Sequence, residues 1–251
     1  MRPKIWVKSL FSDKMRSVVF SLFLLPFLGL SQNSTVFQVW NDVGVTYKFN
    51  KKQSLAFDLT TRHGAGGLQT FFPQISYKIK INKYLRPSVD YRYVGSNTQE
   101  GNFTYRHRIN ANLQLNYEIE RFQLGLRGRY QFTTNRLADN YEPEFGEAFR
   151  IKPSITYDVK KSILLPQASM EFFTGPMDGQ QGYHLNRIRW SVALGFDWDG
   201  PHTFELAYLY DQRIMSPGAL NRAMLNFSYG YSIGSQKPKK PTPQQRNARY
   251  L

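Results

Sequence analysis

From Val36 to Ile233 the chain alternates apolar and polar residues with a period of two, through eleven successive segments. That period sends alternate side chains to opposite faces of an extended strand, so each segment has one apolar and one polar face. In Val36–Phe49 one face reads Phe37, Val39, Val43, Val45, Tyr47, Phe49, and the other reads Gln38, Trp40, Asp42, Gly44, Thr46, Lys48. The pattern recurs in Ser54–Arg62, Gln74–Asn82, Tyr84–Val94, Tyr105–Glu118 and Arg121–Phe132. It continues through Phe149–Val159, Ile163–Phe173, Arg187–Trp198, His202–Arg213 and Arg222–Ile233. Many of these runs exceed the usual strand of about 5–6 residues and match the roughly ten that cross an apolar layer when tilted. No amphipathic helix of useful length interrupts them.

Two further regularities select a membrane barrel over a secreted β-sandwich. The connections alternate in length: Asn50–Gln53, Asn82–Lys83, Ile119–Glu120, Lys160–Lys161 and Asp199–Pro201 read as tight turns. His63–Gly67, Gly95–Asn102, Thr133–Glu147, Thr174–Gly182 and Ile214–Asn221 read as longer loops. Short turns on one side and long loops on the other are the plan of an outer-membrane barrel, the short ones being periplasmic. Aromatic residues also gather at strand ends. Tyr47, Phe49, Tyr117, Phe122, Tyr157, Phe196, Trp198, Phe204, Tyr229 and Tyr231 lie near the short turns. Tyr91, Tyr93, Tyr105, Tyr130, Phe132, Phe149, Phe172, Tyr208 and Tyr210 lie near the long loops. Amphipathic rings favour the lipid–water boundary, so two girdles are expected. The expected fold is all-β: one antiparallel transmembrane β-barrel of ten to twelve strands, most simply twelve, because single-chain bacterial barrels have even counts. Eleven countable segments leave that parity unexplained, unless a short strand precedes Val36, one segment is misread, or the N-terminus reaches the outer side through the lumen.

The ends of the chain differ from the barrel. Val18–Leu30, VVFSLFLLPFLGL, follows Lys14 and Arg16 and leads to the small residues Gly29 and Ser31. This order of charge, apolar run and small residues is that of a secretory signal peptide, and the run is short for a membrane helix. Residues 1–31 are therefore expected to be cleaved, with Met15 an alternative start, leaving residues 32–233 as the barrel. The whole chain carries 33 Lys+Arg and 18 Asp+Glu, and the mature part keeps a net charge of +11. Gly234–Leu251 adds five bases, three prolines and no acid, a composition that favours a disordered extension. Zero cysteine excludes disulfides, thiol nucleophiles and Cys-ligated zinc.

The polar faces carry the functional signal. Arg92, Arg106, Arg108, Arg127, Arg129, Arg150, Lys152, Arg187, Arg189 and Arg213 share the inward phase of their strands. Asp58, Asp90, Glu171 and Asp211 are the inward acids near them. A charge inside a barrel must be paired or wet. The set therefore forms either a salt-bridge lattice that plugs the lumen or a cationic constriction that attracts anions. Catalysis finds no support. None of His63, His107, His184 and His202 has a serine two residues on along its strand face. Four scattered histidines do not supply a metal site either.

The Arg-rich strand starts Tyr105-Arg106-His107-Arg108-Ile109, Phe149-Arg150-Ile151-Lys152-Pro153 and Asn186-Arg187-Ile188-Arg189-Trp190, with the hairpin from Gly195 to Asp211, carry a family likeness. On these residues the chain resembles the domain of unknown function 2490 family of bacterial outer-membrane barrels. The resemblance implies a barrel in the Gram-negative outer membrane with no established activity. The basic tail departs from a chain that ends on its last strand. The expected role is structural or binding, with an Arg-rich, largely plugged lumen. A small anion-preferring channel is the alternative, and an envelope-lipid hydrolase a minority one. No enzyme activity, cofactor, metal or nucleic-acid partner is expected. The expected partners are outer-membrane lipid and, during insertion, the barrel-assembly machinery; the ligand is unknown.

Overall fold

In the computed structural model, the described residues are 35–98, 102–134, 146–160, 162–177, 180–196, 198, 200–214 and 220–234. The expected signal peptide, the centre of the 133–147 loop and most of the basic tail lie outside them. The described residues form eleven strands: β1 (Thr35–Lys48), β2 (Gln53–Gly64), β3 (Gly67–Ile79), β4 (Leu85–Asn97), β5 (Phe103–Ile119) and β6 (Phe122–Thr134). They continue as β7 (Glu147–Tyr157), β8 (Leu164–Met177), β9 (Gln180–Phe196), β10 (His202–Arg213) and β11 (Asn221–Ile233). Each pairs antiparallel with its sequence neighbours, and β1 and β11 close the barrel.

The closure resolves the parity problem. β1 and β11 run parallel, in register from Thr35↔Asn221 to Tyr47↔Ile233. In an antiparallel meander of odd count, the last strand runs in the same direction as the first. Parallel pairing is then the one way to leave no edge. No twelfth strand is needed. The end that carries the β1–β2 connection is termed basal, and the opposite end apical. β1 starts apically and β11 ends basally.

Two of the expected long loops are tight turns. β2 and β3 pair through to Gly64↔Gly67, leaving two residues between them, and Gly67, which closes the turn, takes the left-handed φ of 88° of a glycine at a G1 bulge. β8 and β9 pair through to Met177↔Gln180, with register shifts at Phe173/Thr174 and at Pro176/Met177. A bulge breaks the two-residue alternation without ending the ladder, so the sequence loses its strand signal where the strand continues. Proline acts similarly in β3. The β3–β4 ladder skips Phe72 and Pro73, which hides the first half of β3 and makes Gln74 look like its start.

The outward face is apolar around the barrel: Phe37, Phe57, Ile75, Val89, Ile109, Leu113, Leu124, Ile155, Val192 and Phe227 are all exposed. Rings at the basal end touch one another in short chains. Phe122 and Tyr157 have centroids 4.9 Å apart, Trp198 and Phe204 4.6 Å, and Phe204 and Tyr229 4.9 Å. An apical set joins Phe71, Phe103, Tyr105, Tyr93 and His107. The buried residues are the inward ones, and most are polar, so the barrel is inverted relative to a water-soluble core.

Candidate functional site: a blind, cationic lumen

Strand alternation sends Arg106, Arg108, Asn110, Asn112, Gln114 and Asn116 of β5 inward as one buried column. Arg127, Arg129 and Gln131 of β6 form the next. These side chains meet acids in short bridges. Arg127 Nη2 donates to Glu171 Oε1 at 2.6 Å. Arg189 grips Asp211 with two bonds, Nε to Oδ1 at 2.5 Å and Nη2 to Oδ2 at 2.8 Å, while Arg187 Nη1 reaches the same carboxylate at 3.3 Å. Asp90 accepts from Asn110 and Asn112 and lies 3.6 Å from Arg92 and 4.0 Å from Arg129. Asp90, Glu171 and Asp211 each lie inward within 4.0 Å of an arginine. Asp58 lies over Gly44 of β1, so close that a Cβ at position 44 would collide with its Oδ1.

Across one level of the lumen the arginines are threaded between aromatic rings. Arg62 Cζ sits 4.0 Å from the Trp40 ring centre and 4.9 Å from Phe72. Arg92 lies 5.0 Å from the other end of this chain, Phe72. On the opposite side Arg187 lies 3.9 Å from Phe173, Arg150 4.5 Å, and Arg189 between Phe173 at 5.3 Å and Trp40 at 5.0 Å. A guanidinium over a ring face gains about 2 kcal/mol or more when desolvated. Trp40 also donates its indole N–H to Gln38 Oε1 at 2.9 Å. Trp40 (5 % exposed), Phe72 (5 %) and Phe173 (2 %) thereby bridge β1, β3 and β8 into a cross-lumen plug.

Below the plug lies a cavity of about 840 Å³. Its walls reach up to Trp40, Arg62, Phe72, Arg108, Arg150 and Leu209, and no higher on those strands. The next inward residues up, Gln38, Val94, Phe173, Asp211 and Met224, are buried above it. The cavity is therefore blind apically. It opens at the basal end, beside Lys48, Lys51, Lys52, Lys80 and Arg86.

Of the ten bases expected in the lumen, eight line this cavity; Arg106 is buried above it, and Arg213 sits at the apical end of β10. Arg62, Arg86 and Arg222, and the acids Asp42 and Glu205, belong to the same inward faces and were legible by the same alternation. Asp42 accepts from Thr60 and Ser228. The inward rings of the plug had a signal too: Phe71-Phe72 and Phe172-Phe173 are aromatic doublets, and a strand must turn one ring of each inward. His107 and His202 bond Tyr91 and Tyr229 through their hydroxyls on the exposed face, at 2.7 and 2.9 Å. His63 bonds Thr61 at 3.3 Å. Among the described residues no cluster of His, Asp and Glu could hold a metal ion.

A family model described as "Protein of unknown function (DUF2490)" matches residues 37–221. No curated protein matches the chain. Among solved structures, one reported under "Unveiling the Mechanism Behind the in-meso Crystallization of Membrane Proteins" aligns at 9 % identity and a TM-score of 0.38, over 76 % of this chain and 80 % of that one.

Proposed function

The chain belongs to the DUF2490 family, and from that premise we propose that it is an integral outer-membrane barrel of structural or binding role whose lumen is closed to through-passage. The observation that carries this reading is the inversion of the barrel. Exposed Phe, Leu, Ile, Val and Tyr side chains surround it, while Arg, Asn, Gln and Asp fill it. Soluble monomers rarely expose apolar patches beyond a few hundred Å², whereas a lipid-spanning barrel requires them. The signal-peptide pattern of residues 1–31 and the aromatic girdles support the same location, with the basal end, opposite the long β6–β7 connection, in the periplasm. The plug of Trp40, Phe72 and Phe173 favours a closed lumen over a channel. No catalytic step enters this reading: His107 and His202 are engaged with tyrosines on the outer face.

Fractionation and electrophoresis test it. The mature chain should collect with outer-membrane vesicles and migrate faster unheated than boiled. In planar bilayers it should show no steady conductance. A soluble periplasmic chain would refute the location, and a sustained conductance would refute the closure.

A further inference from the structure

The walls of the basal cavity carry more bases than acids. Fifteen Lys and Arg residues line it against five Asp and Glu. The excess is built into the register as well as the composition. On the adjacent strands β6 and β7, Arg127 stands directly opposite Lys152, and Arg129 directly opposite Arg150. Like charges in direct cross-strand opposition destabilise a sheet. Here two such pairs stack one above the other, making a square of four bases that faces the cavity. Glu171 answers Arg127, Arg129 donates to the neutral Asn112 and lies 4.0 Å from Asp90, and Arg150 bonds the neutral Gln131 and lies on Phe173. Lys152 makes no direct hydrogen bond or salt bridge among the described residues, and it interacts at longer range with Glu171 and Glu205. It also sits where the β7–β8 ladder is interrupted, beside Pro153. Glu205 of β10 lines the same cavity and is the longer-range counter-charge of Lys152, with no direct hydrogen bond or salt bridge among the described residues.

Resting on the closed-barrel reading, we propose that the basal half of the lumen is a dead-end binding site for a soluble anion that carries several phosphate or carboxylate groups. The anion enters past Lys51, Lys52 and Lys80 and docks on Lys152, Arg127 and Arg129. A low-dielectric funnel of one charge sign concentrates such an ion, and the four-base square supplies the charge-assisted bonds that hold it. The volume of about 840 Å³ fits a ligand of ordinary metabolite size. Glu205, facing the same space, opposes the anion and sets its affinity below the maximum the bases allow. A soluble ligand fits better than a lipid headgroup, because the mouth lies at the end of the barrel and not through its apolar wall.

The test is calorimetric titration of the folded mature protein in detergent micelles at low salt, with tripolyphosphate and citrate as probes. At least one probe should bind with one-to-one stoichiometry and weaken as salt rises. Lys152→Met should weaken it by about tenfold or more, the loss of one hydrogen bond to a charged group. Glu205→Gln should tighten it several-fold, a gain that misfolding cannot imitate. Arg121→Glu changes a base in the β5–β6 turn outside the cavity and should leave affinity unchanged. Failure of both probes to bind overturns the proposal, as does a loss with Arg121→Glu equal to that with Lys152→Met, or no change with either Lys152→Met or Glu205→Gln. Conductance is measured separately: a silent barrel that binds neither probe removes this inference and leaves the closed-barrel reading intact. A conducting barrel removes the closure on which both depend.

Discussion

Asp211 shows how single residues hold the lumen together. It is wholly buried, and its two oxygens serve Arg189 and Arg187 at once. Its removal takes the bidentate partner from one buried arginine and a bond from a second. Breaking a buried pair by deleting one member costs about 3–5 kcal/mol, because the remaining charge is left uncompensated. Asp211→Ala should therefore lower the free energy of urea unfolding in lipid vesicles by that amount. Tyr91→Phe, which removes an exposed hydrogen bond to His107, should cost about 1 kcal/mol or less. Similar losses for the two would mean that the bridges at Asp211 carry little weight. The inward phase of Asp211, Arg187 and Arg189 was legible from alternation alone. Their pairing was not, because Asp211 sits opposite Arg189 only once the β9–β10 register is known. Asp58 shows the same limit from the other side: its phase is inward as expected, but its place over Gly44 comes from the β1–β2 register.

Strands were the most legible level, and their failures have local causes. Alternation located all eleven, since a face in contact with lipid or a filled lumen tolerates no phase slip. It failed where proline or a bulge broke the phase, at Phe72-Pro73 in β3 and at Phe173/Thr174 in β8. The phase itself is testable. Leu113 is exposed and Gln114 buried on neighbouring positions of β5. Arg at mid-membrane on the lipid face costs about 2–4 kcal/mol, so Leu113→Arg should impair assembly far more than Gln114→Arg. Equal yields of heat-modifiable protein from both would contradict the assigned faces. The β1–β11 seam offers a sharper test, because no alternation pattern could have revealed it. The register pairs Val39 with Leu225 and Val45 with Tyr231. Paired cysteines at 39 and 225, and separately at 45 and 231, should each cross-link on oxidation and lock the barrel against unfolding on boiling. Antiparallel closure by an extra strand would place neither pair within the roughly 4.4–6.8 Å Cα range that a disulfide spans.

At the scale of the whole molecule, the lumen has, on the proposed reading, a closed apical end and a charged open basal end. The plug joins β1, β3 and β8 through rings and guanidinium groups, so it ties opposite walls together as well as blocking passage. The cavity beneath it keeps a large excess of bases, which an unbroken salt-bridge lattice would not. Removing the plug while the wall charges stay should therefore turn a silent barrel into a selective one. Trp40→Ala combined with Phe173→Ala deletes the two rings between which Arg189 lies. Each large-to-small change in a packed interior costs about 3–5 kcal/mol, but both remove a side chain and leave the backbone ladders that close the barrel in place. The double variant should still migrate as a folded barrel, less stable than its parent. It should also conduct where the parent is silent. Because fifteen bases and five acids line the opened route, a salt gradient should produce a reversal potential of the anion-selective sign. Adding Arg129→Glu and Lys152→Glu to that background reverses two charges of the four-base square and should move the reversal potential toward cations. A folded double variant that stays silent would place the seal elsewhere in the lumen, and one that conducts without preference would show that the wall charges are neutralised within the protein.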